Sequence, residues 1–383
     1  MKPNIRYAWL AALSLPGLLS TTCHPTHPTN IAWAKTYGTG VVSRPVSLHA
    51  TSDGGYVLGT TVLDSVRNMQ MCMIRTDAEG ELVWKRTYPA SVDTGHSASS
   101  AGGAARQTSD GGFIIAGPLG WVDTNHICRY GAYLVKTDAN GDTERTRCYA
   151  SRYSYYPNSN SVVQLPDGGF VMGGPSSFMG SGASLMRTDS AWDTMWVAFH
   201  DGGVSTTVVG SVEPTMDGGF VLPFTSGSET CACLLRVEAD GRESWTAKYP
   251  TMPYGRAACE APGGGYVLVG QGWQRSGLRS KSPCFSLARV GKQGQLVREM
   301  KVRAGTGCGV ELTPDGNYIL AGINDYHPCI VKADTAGRVI WDAELVDMYG
   351  FFTSAVGAAD GGIVAAWVAD SIRLVKVSPP NQE

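Results

Sequence analysis

The hexapeptide Thr51-Ser52-Asp53-Gly54-Gly55-Tyr56 returns six more times along the chain in recognisable form. It reads Thr108-Ser109-Asp110-Gly111-Gly112-Phe113, then Leu165-Pro166-Asp167-Gly168-Gly169-Phe170, then Thr215-Met216-Asp217-Gly218-Gly219-Phe220. Three looser copies follow, at Ala261-Pro262-Gly263-Gly264-Gly265-Tyr266, Thr313-Pro314-Asp315-Gly316-Asn317-Tyr318 and Ala358-Ala359-Asp360-Gly361-Gly362-Ile363. From Asp53 onward the steps are 57, 57, 50, 46, 52 and 45 residues. Asp-Gly-Gly supplies residues that tolerate the positive φ of a tight hairpin. Short apolar runs flank each copy, as in Ser47-Leu48-His49-Ala50 before the first turn and Tyr56-Val57-Leu58 after it.

A second pattern follows each turn. A strand ends on a basic residue and often an acid, as in Met73-Ile74-Arg75-Thr76-Asp77 and Leu134-Val135-Lys136-Thr137-Asp138. The basic column is Arg75, Lys136, Arg187, Arg236, Arg289, Lys332 and Lys376. Its recurrence in every copy points to a structural pair with a turn carboxylate such as Asp77, Asp138, Asp189 or Asp334. A glycine turn comes next, and four residues beyond it stands Trp84, Arg145, Trp245, Arg298 or Trp341, with Trp196 holding that place in the third copy. The tryptophans are expected to pack between repeats.

Seven copies at this period predict an all-β fold, a seven-bladed β-propeller with four strands per blade. Six residues before each turn Asp (or Gly263) stands Ser47, Ala104, Ser161, Ser211, Ala257, Gly309 or Ser354. All are small, as expected where seven inner strands converge on one axis. The last copy ends at Arg373-Leu374-Val375-Lys376 without a fourth strand, while Ile31-Ala32-Trp33-Ala34-Lys35-Thr36-Tyr37 resembles one. The N-terminal strand should therefore close the ring and remove exposed edges. The layout resembles the WD repeat without its Gly-His and Trp-Asp signatures. More closely, it resembles the repeats of exported bacterial propellers, DGGY-V-G followed by K-T-D-x-x-G-x-x-x-W, over residues 31 to 377. That resemblance implies the fold and says little about function.

The chain has 383 residues, 43% hydrophobic and 17% charged, with a net charge of -2 and 48 glycines. There is no basic excess to neutralise phosphates, so nucleic acid is not expected as a partner. Lys2 and Arg6 precede an apolar stretch from Tyr7 to Leu19 that is too short for a comfortable membrane span. Leu18-Leu19-Ser20-Thr21-Thr22-Cys23 resembles a bacterial lipoprotein signal, with Ser20 and Thr22 departing from the usual residues. The domain reading is a signal peptide over 1–22, a tether over 23–30 and a single propeller over 31–383. Cys23 is the expected lipidation site. The expected place is extracytoplasmic, in a bacterial envelope, as an outer-membrane lipoprotein or a secreted protein.

No His-Glu-x-x-His, no Gly-x-Ser-x-Gly and no phosphate loop occurs. Asp138-Ala139-Asn140-Gly141-Asp142 is the stretch nearest to a calcium loop, but its glycine is fourth and strands flank it, so a plain hairpin is preferred. No cofactor and no metal site is expected. The column four before the turn breaks the repeat: His49, Arg106, Val163, Glu213, Cys259, Glu311, Val356. His49, Arg106, Glu213 and Glu311 are the candidate ligand-binding residues, near one mouth of the axial channel. Trp121, Tyr155 and Tyr156 lie in enlarged copies and are candidates for contact with a partner. Ten cysteines in an exported chain suggest disulfides. Cys128 and Cys148 are the first candidate pair, Cys259 and Cys308 a second, and Cys231-Ala232-Cys233 is read as core. The function expected is a binding or assembly module with a protein or glycan partner, tethered to the membrane through its lipid. The alternative is a polysaccharide- or peptide-directed hydrolase or lyase using Glu213 and Glu311.

Overall fold

The computed structural model describes residues 30–39, 47–64, 68–90, 98–100, 103–122, 128–150, 161–175, 182–200, 206–227, 229–275, 281–346, 348, 351–368 and 371–379. They form seven antiparallel sheets, one per repeat. In the first, Ser47–Ala50, Tyr56–Leu63, Met69–Thr76 and Leu82–Tyr88 lie side by side in chain order. We number the sheets as blades one to seven along the chain. Blade seven takes Phe351–Gly357, Ile363–Val368 and Ser371–Val377 from the end of the chain and Ile31–Thr39 from its start. Ala34 pairs with Val375 and Lys35 with Leu374, so the ring closes with the expected strand. The chain is a seven-bladed β-propeller.

Its core is divided rather than single. The buried side chains fall into seven clusters, each lying between two successive blades. Both faces of the second and third strands are therefore covered, which explains runs such as Phe220–Ser226 and Cys231–Val237 that are buried throughout. A fourth-strand tryptophan bridges the gaps after blades one, three and four, while blades two and five carry Arg145 and Arg298 at that place. Trp84 meets Phe113 edge-on at 5.3 Å, and its indole N–H donates to the Ala139 carbonyl of the next blade at 3.1 Å. Trp196 and Trp245 do the same to Ala239 and Lys292. Four residues further on, the buried hydroxyls of Tyr37, Tyr88, Tyr149 and Tyr249 donate to the next blade's turn carbonyl at 2.7 to 3.0 Å. The sequence shows this tyrosine column, but its role emerges only once the blades are set side by side.

The basic column is structural, but its partner differs from the one expected. Arg75 binds Asp53, Lys136 binds Asp110, Arg187 binds Asp167, Arg236 binds Asp217, Lys332 binds Asp315 and Lys376 binds Asp360. The carboxylates of Asp77, Asp138, Asp189 and Asp334 instead accept backbone N–H groups of their own turns. Asp138 takes Asn140 and Asp142 N–H in this way, as a hairpin requires. In blade five, where Gly263 replaces the aspartate, Arg289 caps the Gly264 and Tyr266 carbonyls. The turn glycines do two jobs. Gly54 takes a φ of +87°, while a Cβ on Gly55 would strike the Arg75 guanidinium and the Thr76 carbonyl.

Cys72, Cys233 and Cys329 are buried in three different inter-blade clusters. Cys231 packs with Cys233 in the core between blades three and four, as the C-x-C reading required. Cys259 and Cys308 are separate thiols. They sit four and seven residues before their turns, so roughly 10 Å of strand rise separates their levels, too far for a bridge. Register sets Cys148 opposite Tyr133, five residues along the strand from Cys128, whose side chain lies outside the described residues.

Candidate functional site

The innermost strands of neighbouring blades pack against one another around the axis. Their small column does more than relieve crowding. Ser47 Oγ accepts the Ala105 N–H of blade two at 2.8 Å, and Ser161 Oγ accepts the Val212 N–H of blade four at 2.7 Å. Because these side chains are short, an axial cavity of about 500 Å³ remains, lined by Ser47, Ser211, Ala257, Gly309 and Ser354 among others. Larger residues at this level would fill it.

The column four before the turn supplies three of the cavity's charged residues, and His49, Arg106, Glu213, Cys259, Glu311 and Val356 all line it. Arg106 of blade two reaches over blade three to Glu213 of blade four, Nη2 to Oε1, at 2.7 Å. The reach is open because blade three carries only Val163 there. Among the described residues Glu311 has no ion-pair partner of its own. Burial pushes its pKa up to about 7, with Glu213 adding to the rise, while the Gly357 N–H and Arg106 oppose it. Burial, with the Arg106 charge behind it, holds the His49 imidazole well below its ordinary value, so it is neutral. Burial also pushes the Cys259 thiol up to about 12, with Glu213 and Glu311 adding to the rise, so it is no thiolate nucleophile.

The four candidates His49, Arg106, Glu213 and Glu311 thus come together at one level of one cavity. Sequence reasoning missed two residues beside them. The register of blade five skips from Gly255 to Ala257, and that of blade six from Gly307 to Gly309. Arg256 and Cys308 are the extra residues of two β-bulges, and both line the cavity. Strict alternation would set them on the opposite face from Cys259 and Glu311. The bulges re-aim them inward. The readable signal was the glycine before each, since glycine inside a strand often marks a bulge.

Trp121 ends the second strand of blade two and packs, half-buried, on the cluster between blades one and two. Tyr155, Tyr156 and residues 1–29, with Cys23, lie outside the described residues. Among the described residues no group of three or more His, Cys, Asp or Glu is placed to hold a metal ion.

No family model matches the chain, and no curated protein matches it. Solved structures do. The chain is similar to the propeller of Dos1, with a TM-score of 0.56 and 10% identity over 91% of this chain and 95% of that one. It is also similar to Sqt1 from Chaetomium thermophilum, with a TM-score of 0.52 and 12% identity over 94% of this chain and 87% of that one. A protein of unknown function from Bacteroides caccae aligns at a TM-score of 0.42 and 14% identity, over 61% of this chain and 78% of that one. At such identities the first two likenesses speak for the fold, and it is the propeller fold that this chain has in common with known structures.

Proposed function

We propose that this chain is a binding or assembly module of a bacterial cell envelope, exported and held there through a lipidated Cys23. In this reading it recognises a protein or glycan partner at the axial cavity. The propeller fold is consistent with a binding or assembly role. The observation that carries the reading is the asymmetry of the cavity. Turns, basic residues and core repeat around the ring, whereas the level of His49, Arg106, Glu213 and Glu311 carries unlike residues from blade to blade, and these four face one space. Scaffold positions repeat, and a site that departs from the repeat is where specificity resides.

A second reading is favoured by one observation, the unlike surroundings of the two carboxyls. Glu213 is salt-bridged to Arg106, while Glu311 holds its proton to about pH 7. Two acids in contrasting settings are the raw material of acid–base hydrolysis, with Glu311 as proton donor and Glu213 as the charged partner. The Glu213→Gln/Glu311→Gln double variant separates the readings. It is assayed for turnover on a glycan and peptide panel, and by crosslinking pull-down of the tagged full chain. Loss of turnover with retained capture supports the hydrolase. Loss of capture, with no turnover in the parent protein, supports the binding module. Mass spectrometry of the mature N-terminus tests the anchor: an unmodified terminus downstream of Cys23 would remove it.

A further inference from the structure

The cavity has two ends of different character, and the second end is set by Arg256. This residue is the bulged position of the inner strand Tyr254–Glu260, and it lines the cavity three residues from Cys259. Its guanidinium lies 5.7 Å from the Tyr254 ring centre, and its Nε is buried without a hydrogen-bond partner. Among the described residues no carboxylate forms an ion pair with it. The contrast with the repeated basic column and with Arg106 is sharp. Six of the seven basic-column residues hold a turn carboxylate, and Arg106 holds Glu213. Glu260, the nearest acid along the strand and also a lining residue, accepts the Met216 N–H at 2.8 Å and forms no ion pair with Arg256. A partly buried guanidinium with spare donors favours an anion, and a planar carboxylate matches its geometry.

The other end presents acceptors. Glu213 and Glu311 offer carboxyl oxygens, and His49 is a neutral imidazole. A ligand suited to both ends carries a carboxylate on one side and hydrogen-bond donors on the other. About 500 Å³ admits a molecule the size of a sugar acid or a dipeptide.

We infer that the axial cavity binds a small carboxylate-bearing molecule, with the carboxylate on Arg256 and its hydroxyl or ammonium donors toward Glu311, Glu213 and His49. This rests on the cavity being the binding site and adds the class of ligand. The donors have two sources, the hydroxyls of a uronic acid or the ammonium of a peptide, and the chemistry at Arg256 is the same for both.

The test is calorimetric titration of the full chain with galacturonate, galactose, glycylglycine and glycylglycinamide. Galacturonate should bind roughly ten- to a hundredfold more tightly than galactose, or glycylglycine more tightly than its amide by the same factor, as expected for a hydrogen bond to a charged group in a partly buried site. The pair showing the preference identifies the source. Arg256→Gln should abolish that preference, and Arg256→Lys should retain part of it, which separates loss of charge from loss of fold. Glu311→Gln should weaken both members of the pair alike. Equal binding of acid and neutral analogue overturns the inference, as does a preference that survives Arg256→Gln, or no binding of any probe. If the pull-down above still depends on Glu213 and Glu311 while Arg256→Gln changes nothing, the cavity reading stands and the carboxylate assignment falls alone.

Discussion

The Arg145 guanidinium lies 4.7 Å from the ring centre of Trp192, across the boundary between blades two and three. This pair inverts the arrangement found at other boundaries. There a fourth-strand tryptophan reaches forward onto a turn glycine: a Cβ on Gly80, Gly141, Gly241 or Gly294 would strike Trp33, Trp84, Trp196 or Trp245. Blade two has Arg145 at the tryptophan position, and blade three has Trp192 at the glycine position. Trp192 accepts a φ of +70° there and meets Phe170 edge-on at 5.7 Å. The same gap is filled from the other side. Trp192→Gly should therefore cost about 3 kcal/mol, the cost of an emptied aromatic site less the strain relieved. Arg145→Trp alone should overpack the boundary. The double variant should return most of the loss. Urea denaturation of the four proteins checks this, and a double variant no more stable than Trp192→Gly would refute the exchange.

The serine bonds of the inner ring should matter more than their size suggests. Ser161 and Val212 are both buried, and the hydroxyl is the acceptor for the Val212 N–H. Ser161→Ala fits sterically, since Ala104 and Ala257 hold the same column, but it strands a buried donor. The expected cost is about 1 to 3 kcal/mol. Hydrogen exchange should show the Val212 amide among those most accelerated. An unchanged Val212 amide would mean that another acceptor takes it over.

Ring closure can be tested in the same terms. Removing residues 31–39 strips Ser371–Val377 of its outer partner and makes it the open edge of blade seven. It also takes Tyr37 from the cluster between blades seven and one, together with its bond to Gly80. The truncated chain should unfold at lower temperature and associate through the open edge, as read by calorimetry and size-exclusion chromatography. A synthetic peptide of residues 30–39 should reverse both effects in trans. A truncated chain that melts with the parent would show the strand to be ornamental.

Most of the fold was legible because it is written seven times. A turn, a basic residue or a small residue at a fixed offset survives the noise of variable loops when it recurs in every copy. What repetition could not decide was the choice between two carboxylate columns. Arg75 stands two residues from Asp77 in sequence, yet hairpin register sets it opposite Val57, at the base of the Asp53 turn. Asp77 is already occupied by the N–H groups of its own turn. Four of the six site residues were legible too, since an uneven column among even ones can be read directly. Arg256 was not, because one extra residue in a strand reverses the facing of every side chain before it, and alternation from the turn gives the wrong side.

Glu311 provides the sharpest pH test. Its folded pKa is about 7 against an ordinary carboxyl value of 4.5, with burial the main cause. The folded chain thus holds a proton that the unfolded chain has released between those limits. The Glu311 contribution to stability must then fall as pH rises from about 4.5 to about 7, and is lost in full above that window, while the His49 contribution, from an imidazole held below its ordinary value, changes in the opposite sense and cancels between variant and parent. The scale is at most about 3 kcal/mol, reduced by whatever water enters the cavity. Glu311→Gln presents a neutral group of the same shape at every pH. Its stability relative to the parent should be near equal at pH 5 and should exceed it at pH 7.5. Asp110, with its pKa lowered to about 2, titrates below this window and does not confound it. Urea midpoints of both proteins at the two pH values decide the matter. If the difference between variant and parent is the same at each pH, Glu311 does not hold its proton in the folded state, and its role as a proton donor in the cavity falls with it.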